Sequence, residues 1–358
     1  MNSFATSPES MLFALALFAY LFSFVAHVVA AGLGRENLYR FARLASWGGA
    51  TAGTIALGLR WQASGHPPLS NMYESLVTLA TFTVWITLAF TRSTPFGIVE
   101  GGTAVIAVLM TGIASLFPQE SSPLVPALQS YWLHVHVAVA FLGESCFALA
   151  FALSYLYCFR RLVTESGTTG ENANAPTALE RQVCAFLVWG VPLGFIGSMC
   201  LLMMRMNENP ETGGKWHTML AWVIGPAILA SVALVVGMYL LRGSVGKTTE
   251  RILPSEERLD EFIYRAIALG YPLYTVGAII FGMVWANKAW GRYWGWDPKE
   301  TWALITFLVY SIYLHVRLTK GWRGTWTAVL SLVGFLVTLF TLFGVNLLLS
   351  GLHSYAAR

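Results

Sequence analysis

Long apolar runs, separated by short polar stretches, set the pattern of this chain. Ten of them approach or exceed the roughly 20 residues that a bilayer core demands of a helix. They are 11–30, 44–61, 74–91, 101–117, 131–159, 183–204, 217–241, 262–286, 299–317 and 325–349. The run at 44–61 is the weakest, being rich in Gly and Thr, and the run at 131–159 is longer than a bilayer requires. The first run is too long for a signal peptide, and it lacks a preceding basic segment and a small-residue cleavage site. The pattern predicts an all-α, polytopic membrane helical bundle of about ten transmembrane helices. Between the runs, 162–182 is rich in Ser, Thr, Gly and Asn and predicts a flexible linker. Segment 242–261 carries both charge signs and predicts a surface helix or loop. No internal repeat of the kind that builds inverted-repeat transporters is evident.

Composition removes the soluble alternatives. Apolar residues make up 56% of the 358 and charged residues 11%, against about 25% charged in soluble domains. Such a chain cannot cover a water-facing surface, which excludes a globular enzyme, a disordered tail and a nucleic-acid binder. The net charge of +4 is small, so its placement carries more information than its sum. With ten spans, fifteen of the 22 Lys and Arg fall in loops on one face and seven on the other. The positive-inside rule then puts both termini outside. Loops 62–73, 118–130, 205–216, 287–298 and the tail 350–358 share that outer face. Cys146, Cys158, Cys184 and Cys200 all lie in apolar runs without a C-x-x-C pair, and read as packing residues.

Candidate chemistry concentrates in WANKAWGRYWGWDPKETW, residues 285–302. Trp285, Trp290, Trp294, Trp296 and Trp302 fall within it, with Tyr293 adding a ring. Asp297 is a good N-cap, Pro298 suits the first helical position, and Glu300 follows three residues after the cap. A span therefore starts there, with the Trp cluster just before it. An aromatic belt at the lipid headgroups explains one or two Trp per span end. Rings this dense, spaced by Gly291 and Gly295, instead suggest a flat apolar platform for a large planar ligand. Arg292 and Lys288 lie alongside to meet acidic groups on it.

Position separates the seven histidines. His134 and His136 open the fifth span at its outer end, two apart, so only one of them can join a given site. His353 follows the last span on the same face. Two neutral imidazoles above an apolar platform are what a haem iron requires. His315 lies about 27 Å along its helix from Asp297, near the opposite membrane face. His27 reads as packing, His217 as interfacial, and His66 belongs to an outer loop. Glu74 and Glu144 read as structural hydrogen-bonding groups.

Four stretches carry a resemblance: SGHPPLSNMYESL (64–76), LVPALQSYWLHVHV (124–137), VWANKAWGRYWGWDPKETWALITFLVYSIYLHVR (284–317) and FGVNLLLSGLHSY (343–355). On them the chain resembles the haem-handling proteins with a WWD segment. More closely, it is similar to the CcsA/ResC-type membrane component of the System II cytochrome c synthase. The resemblance implies cytochrome c biogenesis: haem b is moved across the membrane and presented outside for thioether attachment to the C-x-x-C-H segment of an apocytochrome c. It also implies an enzyme only as part of a holocytochrome c synthase complex. The alternative is a haem transporter or chaperone without ligation activity. An unrelated solute transporter with interfacial Trp is the third reading.

By the same resemblance, His136 rather than His134, together with His353, ligates the haem iron on the outer side. Trp290, Trp294, Trp296 and Trp302 shape the pocket, and Asp297 pins the turn. His315 belongs to a second, membrane-embedded site, with the other His supplied by a ResB/CcsB-type partner. A thiol-reducing system for the apocytochrome, contact with membrane lipid, and residence in a bacterial plasma membrane, with a thylakoid as the alternative, complete the implied setting. Typical members have about eight spans, so 183–204 and 217–241 are two extra. The chain accordingly divides into 1–160 with His136, 161–261 with the linker and extra spans, and 262–358 with the Trp-rich segment, the last two spans and the tail.

Overall fold

The structure is a computed structural model that describes residues 7–92, 97–119, 124, 126–163, 177–207, 249 and 252–349. Among them every long element is helical. They are α1 (Pro8–Leu33), α2 (Glu36–Ser64), α3 (Met72–Phe90), α4 (Gly97–Ala114), α5 (Tyr131–Val163) and α6 (Ala178–Asn207). Then come α7 (Glu256–Tyr274), a π-helical segment (Thr275–Phe281), α8 (Gly282–Trp290), α9 (Pro298–Thr319), α10 (Thr325–Leu339), a second π segment (Phe340–Gly344) and α11 (Val345–Leu348). Nine of the ten apolar runs lie in these helices, and 217–241 lies outside the described residues. Among the described residues, seven helices are long and apolar enough to cross a membrane: α1, α3, α4, α5, α7 continued through α8, α9, and α10 with its π segment. The protein is an all-α polytopic membrane protein.

Two compact units are present: 1–154 with 257–358, and 155–256. In the second, α5 extends to Val163 and α6 starts at Ala178, so only the middle of the expected linker, 164–176, lies outside the described residues. There Arg161 pairs with Glu256 at 2.8 Å and Glu180 at 3.7 Å.

In the first unit, local chemistry sets the helix ends. Ser7 accepts from the Ser10 N–H and Pro8 follows it, while Gly34 closes α1 in the left-handed region at φ 64°. Asn71 caps α3 by accepting from the Glu74 N–H.

Buried ions then tie the helices together. Arg60 is 2% exposed. It donates to Glu74 at 2.8 Å, to Glu9 at 3.2 Å and to the Gln119 carbonyl at 2.8 Å. Glu74 also accepts from the Ser70 N–H at 2.7 Å and its hydroxyl at 2.8 Å, so this ion pair fixes the 65–71 loop. Glu74 is thus the structural hydrogen-bonding group expected from sequence. His27 is fully buried, its Nδ1 against Ser23 and its Nε2 3.5 Å from Glu100.

A third cluster joins the start of α7 and the end of α9 to the start of α10. Asp260 accepts from Arg317 at 2.6 Å, from the Gly324 N–H at 2.9 Å and from the Thr327 hydroxyl at 3.1 Å. Arg317 is buried and paired. Removing one partner strands the other charge in a low-dielectric interior, which costs about 3–5 kcal/mol. Asp260→Ala is therefore expected to lower the melting temperature of the detergent-purified protein by many degrees. Asp260→Asn, which keeps an acceptor for Gly324 and Thr327, should lower it by less. A melt of Asp260→Ala unchanged from wild type would remove this cluster from the account of stability.

Candidate functional site

One face of α5 opens the site. Leu133, His136, Val137, Ala140, Phe141 and Glu144 recur at helical spacing and line a single cleft. The π segment and α8 face them with Ala278, Gly282, Met283 and Trp285. The loop fixed by Arg60 and Glu74 adds Leu69 and Ser70, and Met72 and Ser75 follow from α3. The cleft is open at its mouth, with a cavity volume of about 120 Å³ and a mostly apolar lining.

His136 is held on two sides. Its Nδ1 lies 2.8 Å from the Gly277 carbonyl. A carbonyl only accepts, so Nδ1 carries the proton and Nε2 the lone pair, which is the tautomer a metal ligand needs. The carbonyl belongs to the π segment, a local irregularity common at functional sites. The imidazole lies nearly parallel to Trp285, at 5.8 Å between centroids and 7° between planes. Gly282 makes room: a Cβ there would sit 3.1 Å from the ring. Gly277 brings the π segment against α5, since a Cβ there would meet Ala140 N at 2.3 Å.

The Trp segment does not form the expected flat platform. Trp285 and Trp290 meet edge to face at 66°, and Trp294 and Trp296 at 86°. The reason is local. Residues 282–290 continue a helix, Gly291 ends it at φ 72°, and the next six residues turn back toward α9. Rings on such a path cannot share a plane. Trp285 and Trp290 pack into an apolar cluster with Leu128 and Leu133. Trp294 and Tyr293 line the cleft. Trp296 is 70% exposed and sits at φ 56°, a left-handed conformation that a bulky residue adopts only under constraint. Trp302 packs against Phe340 at 4.2 Å. Asp297 is buried and builds the expected capping box with Glu300, whose carboxylate also accepts from the Gly295 N–H at 2.7 Å.

The other expected residues separate. The cleft takes in His136 and leaves out His134. His315 is exposed on α9, far down the helix from Asp297, and His353 and His217 lie outside the described residues. Lys288 and Arg292 are both exposed and absent from the lining. The lysine of the cleft is Lys299. Trp285 of the Trp segment lines the cleft, and sequence reading missed Glu144 and Asn346 as lining residues. For Glu144 the signal was present: it continues the α5 stripe of His136 and Ala140. Among the described residues, no three His, Cys, Asp or Glu side chains are placed to hold a metal ion.

A family model described as "Cytochrome C assembly protein" matches residues 69–203 and 215–353, a stretch that includes every residue of the cleft. The chain belongs to this family. Its members named "Cytochrome c biogenesis protein CcsA" are close in sequence. That of Nostoc punctiforme is 36% identical over 335 residues, covering 90% of this chain and 91% of the relative. That of Synechocystis sp. is 38% identical over 308 residues, covering 84% of each. Cytochrome c biogenesis is thus the function of the chain. Among solved structures it is similar to "Cytochrome c Heme Lyase CcmF", with a TM-score of 0.56 and 15% identity, over 96% of this chain and 47% of that one. At that identity the likeness concerns the fold alone.

Proposed function

We propose that the cleft captures haem b on the outer membrane face and presents it for covalent attachment to an apocytochrome c. The observation that carries this reading is the His136 tautomer. An imidazole with its Nδ1 proton committed to a backbone carbonyl, beside a mostly apolar cleft, is prepared to bind iron through Nε2. His353 supplies the opposite ligand, and Trp294 covers the ring. Asp297 and Glu300 hold the turn that carries Trp294. Attachment adds each thiol across a vinyl group: sulfur bonds to one carbon, the proton goes to the other, and there is no net redox change. The protein supplies position, which for such an addition is a large part of the rate. His315, exposed on α9, serves an inner site completed by a His of a ResB/CcsB-type partner. A reducing system keeps the apocytochrome thiols free, and the host membrane is a bacterial plasma membrane.

The test is a visible spectrum of the protein purified with its partner, alongside holocytochrome c yield in cells. Wild type should show low-spin bis-His haem, weakened in His353→Ala, with holocytochrome made only when the partner is present. A His315→Ala variant should fill the outer site poorly. Bound haem without holocytochrome in the presence of the partner would favour the transporter reading. Absence of bound haem in wild type would sink both.

A further inference from the structure

Away from its mouth the cleft changes character. Its walls are apolar, but Glu144 of α5, Lys299 of α9 and Asn346 of α11 meet in its lining. Glu144 lies eight residues beyond His136 on the same helix face, about 12 Å along the axis. Its Oε2 is buried and has no hydrogen-bond partner among the described residues. A buried carboxyl oxygen in that state is costly inside a membrane protein and points to a missing hydrogen-bond partner. Lys299 lies within coulombic reach of it. The Lys299 ammonium donates to Asn346 Oδ1 at 3.2 Å, and an ammonium has three protons to give. Asn346 is itself fixed, since its Nδ2 donates to the Leu342 carbonyl at 2.7 Å and contacts Met72 Sδ at 3.4 Å. The floor thus sets a nitrogen donor near a carboxyl oxygen that has no hydrogen-bond partner among the described residues. A carboxyl group answers both: its C=O accepts from Lys299 and its O–H donates to Glu144.

We propose that Glu144, Lys299 and Asn346 are the receptor for a carboxyl group of the porphyrin. The propionate edge of a haem lies opposite its vinyl edge. Seating a propionate on this floor turns the vinyl groups toward the mouth, where Tyr293 is 60% exposed and where incoming thiols arrive. The inference rests on the haem reading above and adds the orientation of the ring.

The test loads the full chain with its partner with iron protoporphyrin IX, its dimethyl ester or iron mesoporphyrin, and reads affinity from the visible spectrum. Wild type should bind the diester roughly tenfold or more weaker than the free acid, the worth of a charge-assisted hydrogen bond. Mesoporphyrin, which keeps its carboxyls, should match haem. Lys299→Met should bind acid and diester alike, Lys299→Arg should restore the preference, and Lys288→Ala should leave it unchanged. Equal binding of acid and diester by wild type, with a spectrum that depends on His136, overturns the proposal and leaves the haem reading standing. A preference that survives Lys299→Met but disappears in Lys288→Ala places the carboxyl at the rim and overturns it too. No binding of any porphyrin defeats both readings. The wild-type comparison needs no variant, so a Lys299→Met protein that fails to fold leaves the test intact.

Discussion

His136→Ala is expected to reduce bound haem and holocytochrome c yield to background while leaving the fold in place. The argument starts from one hydrogen bond. The Gly277 carbonyl takes the Nδ1 proton at 2.8 Å and leaves Nε2 as the basic atom. Loss of such an orienting partner alone costs a metal site about 10–100-fold in affinity, so loss of the ligand itself costs at least that. The ring is half-buried and contacts Trp285 and Gly282. Truncating it removes packing within the usual range of about 0.5–3 kcal/mol for a point substitution. A melting curve should therefore move by a few degrees, and haem content should collapse. His134→Ala provides the contrast. It sits two residues away at the same helix end and does not line the cleft, so its haem content should match wild type. Full haem content in His136→Ala, or equal losses in both variants, would refute the assignment of His136 as the ligand.

Gly277→Ala is expected to damage stability and function together. The added Cβ would lie 2.3 Å from Ala140 N, 2.6 Å from Val139 C and 2.8 Å from Ala140 Cα. All three are backbone atoms of α5, and backbone cannot rotate aside as a side chain can. Overpacking a core costs about 1–3 kcal/mol where side chains can adjust, and here they cannot. Close helix approach through small residues is also a principal source of packing between membrane helices. Pushing the π segment away from α5 carries the Gly277 carbonyl away from His136 as well. The variant should melt markedly lower than wild type and bind little haem even at temperatures where it stays folded. Gly58→Ala is the control. A Cβ at Gly58 meets nothing within 4 Å, and Ala is favoured over Gly in a helix by about 1 kcal/mol. It should melt at or slightly above wild type. A Gly277→Ala protein with wild-type stability and haem content would show that α5 and the π segment can separate without consequence.

The sequence by itself determined what water and lipid decide. Nine of the ten apolar runs lie in helices, because a run near 20 residues in length has no other stable form in hydrocarbon. It also determined what short-range chemistry decides: Asp297, Pro298 and Glu300 announce the start of α9, and the capping box is present. The family was legible for a related reason. Motifs such as WGWDPKE are contiguous, and their residues carry their roles in sequence order. Tertiary structure decided everything that depends on direction. His134 and His136 are equivalent along the chain, and only the packing of α5 against the π segment puts His136 in the cleft. Five Trp in 18 residues suggested a platform, but a helix, a left-handed Gly291 and a turn aim them differently. Arg292 and Lys288 looked like the cations of the site because they sit among the aromatics. Lys299 holds that place because α9, α11 and α5 converge on one cavity, which no local pattern encodes. The same is true of Arg60, Arg317 and Asp260. A charge in a sequence says that a partner must exist when the residue is buried, and only the assembled helices say which one.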